Sequence, residues 1–147
     1  KMGYFTSLDV SASGMSAQRM RMDLISQNIA NANTTKTQDG TPYRRQTLVL
    51  GTNESVGFSK YLSSSSRSTI GDGRVKIQGI KEDMSELKRV YEPDNPEADE
   101  DGYVTMPNVD IVTEMVDMIS ASRSYEANVT ASTASKNMAM QALNIGK

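Results

Sequence analysis

PNVDIVTEMVDMISASRSYEANVTASTASKNMAMQALNIGK, residues 107–147, has a proline at its start, a glycine one residue from its end, and neither residue type between them. Pro107 followed by Asn108 is a helix-start signal with Asn108 as the cap, and Gly146 is a stop signal. Ile111, Met115, Met118, Ser122, Tyr125, Val129, Ser132, Lys136, Ala139 and Leu143 recur at alternating spacings of four and three. That is a 3.5-residue period, the repeat of a coiled-coil seam. It predicts a helix of about 37 residues, about 55 Å long, more than a compact domain of this size needs. Asp110, Glu114 and Asp117 lie near the start and Lys136 and Lys147 near the end, the order that the helix dipole favours.

A rod of this length needs a partner, and the other end of the chain offers one. TSLD, residues 6–9, has the form of a capping box made by Thr6 and Asp9. Beyond it Leu8, Ala12, Met15, Met22, Ile25 and Ile29 form one apolar stripe at helical spacing, and Val10, Ala17, Met20 and Leu24 form a second. A helix docked on a single core needs one stripe, so two imply neighbours on two sides. Gly14, with Ser11, Ser13 and Ala17 close by, permits close backbone approach. The stretch closes on QNIANANTT, where Asn28, Asn31 and Asn33 serve as caps and turn formers or as register-fixing amides at a contact.

The chain has 147 residues, 37% of them hydrophobic and 5% aromatic, with no tryptophan and a net charge of −2. Its core is therefore modest, and no dominant basic surface points to nucleic acid. No apolar run reaches the roughly 20 residues of a spanning helix. The start lacks the basic and apolar regions of a secretory signal, so any export is expected to use another route. The long seam carries Ser122, Ser132 and Lys136 where large apolar residues are expected, each forgoing roughly 1–3 kcal/mol of burial. Two such helices are marginal alone and gain stability when further copies cover their other faces.

Between the arms, YRRQTLVLG (43–51), VGFSKYL (56–62) and GRVKIQGI (73–80) read as short strands, and ELKRVYEPD supplies one more. SSSSRSTIGDG (63–73) reads as a spacer. The expected fold is mainly α with a small β part, its long terminal helices packed as a coiled-coil hairpin. Its units are a helical arm over 6–35, a β-rich middle over 41–92, an acidic proline-containing loop over 93–107 and a helical arm over 108–146.

Catalytic equipment is scarce. With no His and no Cys, histidine-based triads, thiol nucleophiles and imidazole or thiolate metal sites are impossible. GDG at 71–73 lacks the third glycine and following helix of a phosphate loop. EADEDGYVTMPN puts Glu97, Asp99, Asp101 and Gly102 at calcium-loop spacing, but its twelfth residue is Asn108 and not a bidentate carboxylate. A solvated acidic turn is the favoured reading. Asn33, Asn53 and Asn128 begin glycosylation-type triplets, a pattern too short to carry weight. Neither an enzyme nor a cofactor, small-molecule substrate or nucleic-acid partner is expected.

SASGMSAQRMRMDLISQNIANANTT resembles the N-terminal signature of the axial proteins of the bacterial flagellum, with Gln27-Asn28 where that signature has two asparagines. YEPDNPEADEDGYVTMPNVDIVTEMVDMISASRSYEANVTA resembles, almost residue for residue, the matching block of the rod members of that family. The likeness covers nearly the whole chain, although 51–80 carries no recognisable motif. It implies that the terminal helices form an inner coiled-coil domain and the middle faces outward. It also implies export through the flagellar type III apparatus without a cleaved signal, then helical assembly into the rod within the basal body, on the periplasmic side. The expected partners are copies of the chain, other rod proteins and the export apparatus. A cytoplasmic coiled-coil scaffold is the alternative that shares the seam and the missing catalytic groups.

The residues expected at assembly contacts come from both arms. On the first they are Leu8, Met15, Met22, Ile25, Asn28, Ile29, Asn31 and Asn33. On the second they are Ile111, Met115, Met118, Ile119, Arg123, Tyr125, Glu126, Val129 and Leu143. Arg123 and Glu126, three apart, are close enough to pair within the helix or with a neighbour.

Overall fold

The computed structural model describes residues 4–52 and 73–145. The expected strand at 56–62, most of the 63–73 spacer, Asn53, Gly71 and the Gly146 stop lie outside them. Helix α1 spans Tyr4–Ala30 and helix α2 spans Ile111–Ile145. Between them come β1 (Gln46–Thr52), β2 (Val75–Glu82), β3 (Lys88–Tyr91) and β4 (Tyr103–Met106). The chain is mainly helical with a small β part.

The helices run side by side and antiparallel. Gly14 of α1 lies against Asn128 of α2, Arg21 reaches Asp117, and Asn28 reaches Glu114. The first contact is the close approach that Gly14 permits: a Cβ there would stand 3.0–3.2 Å from the Asn128 amide.

The side of α2 that meets α1 is rotated by one residue from the expected seam. Met118, Tyr125, Ser132 and Ala139 are partly buried as expected. The alternate positions are Glu114, Ala121, Asn128 and Ser135, and not Met115, Val129 and Lys136, which are exposed; Ser122 is partly buried beside Ala121 in the chain. Glu114 and Ala121 are fully buried, whereas Met115 is 53% exposed. The reason is steric and electrostatic together. A facing surface of Gly14, Ala17 and Ser11 brings the backbones too close for large side chains, and polar partners await Glu114 on the other side.

Helix boundaries also differ from the sequence reading. α1 is already helical at Tyr4, so Thr6 sits inside it and caps nothing at its start. It ends at Ala30, short of the expected 35, where the Asn31 amide donates to Gln27 O at 2.9 Å. The cap of α2 is Asp110 and not Asn108. Asp110 accepts from the Val112 N–H and the Thr113 hydroxyl, and these bonds hold its carboxyl below the usual carboxylate range. Asn108 instead accepts from the Arg45 N–H and donates to Asp83 O and Ser85 Oγ, tying three segments together.

β1 and β2 pair antiparallel from Gln46↔Glu82 to Thr52↔Val75, with a bulge that leaves Gln78 unpaired and its side chain over Gly51. β2 begins on α1, where the Val75 N–H donates to Ser13 Oγ at 3.2 Å. β3 pairs with β4 from Lys88↔Met106 to Tyr91↔Tyr103. β4 falls in the segment expected to be an acidic loop, so 93–107 is a turn followed by a strand. Its Val104 is fully buried beside the buried Pro107 and Val109.

Among the described residues the apolar core is small: Ala17, Leu24, Ile25, Ala32, Val104, Val109 and Ala121, most of them short side chains. By the antiparallel register, Tyr4 falls opposite the region of residue 138, so the end of α2 projects past α1 among the described residues. Leu143 and Ile145 there are 72% and 87% exposed. Amide hydrogen exchange should accordingly be slowest over 114–121 and fastest over 139–145. Equal protection along α2 would contradict this account of where the hairpin is held.

Candidate assembly interface

Asn28 is 1% exposed and forms four hydrogen bonds. Its Nδ2 donates to Gln46 O at 2.9 Å and to Glu114 Oε2 at 3.1 Å. Its Oδ1 accepts from the Tyr43 hydroxyl and the Gln46 N–H, each at 2.9 Å. The side-chain amide thus pairs with both backbone groups of the first β1 residue, as a neighbouring strand would.

Glu114 continues the network. Its Oε1 accepts from Arg45 Nε at 2.6 Å, and the Arg45 guanidinium also reaches Asp117 Oδ2 at 3.4 Å. Arg21 of α1 takes the other Asp117 oxygen at 3.3 Å. Two cations and two carboxylates therefore join α1, α2 and the chain leading into β1, with Asn28 at the buried end. Burial, and then the negative charges of Glu114 and Glu82, push the Tyr43 hydroxyl above its ordinary range, so it remains a donor. A cleft of about 370 Å³ opens beside this cluster, walled by Leu24, Ile25, Leu48 and Leu50.

The expected contact residues divide in two. Ile25 and Asn28 are buried inside the chain itself, and Leu8, Met15, Met22, Ile29, Asn31, Met118 and Tyr125 are half-buried. Asn33, Arg123 and Glu126 are exposed, and the two charges form no ion pair with each other. Ile111, Met115, Ile119, Val129 and Leu143 are 38%, 53%, 55%, 40% and 72% exposed. The three asparagines therefore part company: Asn28 ties helix to strand, Asn31 terminates α1, and Asn33 faces solvent.

On α2, Val112, Met115, Val116 and Ile119 share one outward stripe at helical spacing, 70%, 53%, 62% and 55% exposed. In the acidic turn with calcium-loop spacing, Glu97 accepts from the Thr35 hydroxyl, Asp99 pairs with Arg89, and the Gly102 N–H closes onto Asp99 O. Among the described residues no group of three acidic side chains is arranged to hold a metal.

The helix pair is thus tied at its base by the Asn28–Glu114 cluster and turns an apolar stripe of α2 outward. Residues 8–36 match the family described as flagella basal body rod protein, and residues 100–145 match that described as flagellar basal body rod FlgEFG protein C-terminal. The chain is 48% identical to the flagellar basal-body rod protein FlgC of Bacillus subtilis, over 97% of this chain and 98% of that one. It is 45% identical to FlgC of Borreliella burgdorferi over 98% of each chain, and 38% identical to FlgC of Escherichia coli over 99% and 100%. The chain belongs to the FlgC family of flagellar basal-body rod proteins.

The two matched regions of this FlgC-family chain are its two helices with the segments leading out of and into them. The sequence reading missed the cluster between them. In the sequence Glu114 stands out only as one of three acidic residues near the start of α2, where the helix dipole favours them, and Tyr43, Arg45 and Arg21 carry no motif. The one available signal was positional. Three polar residues, Tyr43, Arg44 and Arg45, lead directly into an apolar strand and so had to find partners at its base.

Proposed function

We propose that this chain is a structural subunit of the flagellar rod, the drive shaft of the basal body, and that it meets its neighbours through apolar side chains its helices turn outward. The observation carrying the reading is the stripe of Val112, Met115, Val116 and Ile119, exposed on a helix whose other side is occupied by α1. Fully burying such a side chain contributes about 1.5–3 kcal/mol, so the stripe favours a covering helix strongly. Contacts between two different patches, unlike two-fold contacts, propagate into a helical assembly.

In this reading Ile111, Met115, Ile119, Val129 and Leu143 are direct contacts of α2, with Arg123 and Glu126 pairing across to neighbours. Leu8, Met15, Met22, Ile29, Asn31 and Asn33 serve on α1. Met118 and Tyr125 flank the seam, where the helix pair winds as a coiled coil. Ile25 and Asn28 act from inside, holding the helices in register. The partners are copies of the chain and other rod proteins, reached through the flagellar type III export apparatus on the periplasmic side of the basal body.

Met115→Asp and Ile119→Asp test this directly. Both positions are exposed in the monomer, so stability should change by no more than about 0.5 kcal/mol. Each carboxylate would be buried unpaired in the assembly, so motility and the yield of rods in isolated basal bodies should be lost. Normal swimming with either substitution would sink the assignment of this stripe.

A further inference from the structure

The β3–β4 hairpin presents a second outward surface, on residues that the helix pair and its apolar stripe do not use. Strand pairing sets Tyr91 opposite Tyr103 and Arg89 opposite Thr105, on the face away from the fully buried Val104. Tyr91 is 62% exposed and Tyr103 39%. Their rings meet edge to face with centroids 5.2 Å apart, and the Arg89 guanidinium lies 5.2 Å from the Tyr103 ring centre. The arrangement is held from below. Gly102, at φ +78°, lies so close under Tyr91 that a Cβ there would come within 2.9 Å of the ring. Tyrosine and arginine dominate binding hot spots, and rings already fixed lose little freedom on docking.

Charge specifies the occupant. The turn 92–102 joining the strands carries six carboxylates and no Lys or Arg. Arg89 offsets Asp99, but Glu92 and Glu97 receive hydrogen bonds from the neutral Asn95 and Thr35. A cleft of about 280 Å³ beside the turn has Pro42 and Pro96 in its walls and Glu97, Asp99 and Lys36 at its edge. A lysine or arginine stem suits the proline walls, with its head at the carboxylates, and a guanidinium can stack on the open side of Tyr91.

We propose that the tyrosine face of the β3–β4 hairpin and its acidic turn form one docking surface for a basic segment of another protein. The test uses the full chain and fluorescein-labelled nona-arginine, followed by anisotropy, with nona-glutamate as the control peptide. Nona-arginine should bind and nona-glutamate should not. Tyr91→Ala with Tyr103→Ala should weaken binding at least about tenfold at unchanged net charge, while the paired Phe substitutions keep the rings and the binding. Glu100→Gln with Asp101→Asn should weaken it severalfold, and Asp9→Asn with Asp23→Asn, the same charge change on the exposed side of α1, should not. Equal binding by the tyrosine-to-alanine variant would overturn the proposal. So would equal weakening by the helix control, which would reduce the effect to overall charge. Sedimentation showing that the tyrosine variants instead dissolve a self-associated species would assign the face to a second copy and overturn it as well.

Discussion

Glu114→Ala is expected to lower the stability of the folded chain by about 3–5 kcal/mol, read from urea denaturation followed by circular dichroism. Glu114 is fully buried and accepts from Arg45 and Asn28. Removing it strands a guanidinium whose side chain is only 25% exposed, and leaves one donor of a buried amide without an acceptor. Arg45 keeps Asp117 at 3.4 Å, which places the cost toward the lower end of the range. The magnitude separates this pair from Arg89–Asp99, where both side chains are more than half exposed and loss costs about 0–1 kcal/mol. A companion variant sharpens the point. Glu114→Met with Arg45→Met removes both charges and should recover most of the loss, because desolvating the pair offsets most of its attraction. A loss below about 1 kcal/mol for Glu114→Ala would mean that the cluster is not what holds the hairpin base.

Glu114 also marks the limit of what the sequence made legible. The two long helices, the strands at 46–52, 75–82 and 88–91, and the family were readable, because periodicity and turn residues are local signals. The rotation of the seam was not. Met115 outranks Glu114 on any hydrophobic scale, and only the glycine and small residues of α1, with Arg45 arriving from a third segment, make a carboxylate the better inward residue. β4 was hidden for a related reason: YVTM follows a run of acids and prolines whose turn signal outweighed four residues of strand signal. The apolar residues of α2 are visible in the sequence, but which of them turn outward cannot be told from the inner seam without the facing helix. The asparagines were legible as a cluster and not as three separate jobs, since Asn28 differs from Asn33 only in what tertiary packing brings to it.

Asn28→Asp should show how closely that job depends on an amide. The substitution keeps size and shape, and the acceptor toward Tyr43 and the Gln46 N–H remains. The donor is lost, so an oxygen now faces Gln46 O at 2.9 Å and Glu114 Oε2 at 3.1 Å. Two carboxylates at that separation in a buried site cannot both stay ionised without a large penalty, and the pair takes up a proton at a raised pKa. Because the folded state then binds more protons than the unfolded one, stability of the variant relative to the parent rises as pH falls. At neutral pH the variant should be less stable by about 3 kcal/mol or more, the cost of an unpaired buried group with a like charge beside it. As the pH approaches the ordinary carboxylate range, a proton shared with Glu114 restores one donor and the gap to the parent should narrow. Asn28→Leu serves as the control: it loses all four bonds, the accepted pair as well as the donated pair, but carries no titrating group, so its deficit should not shrink on acidification. Parallel pH profiles for the two variants would show that Asn28 is merely well packed. Convergence of Asn28→Asp alone would show that the opposing charge of Glu114 sets the cost, and that α1 and α2 are matched through this one amide.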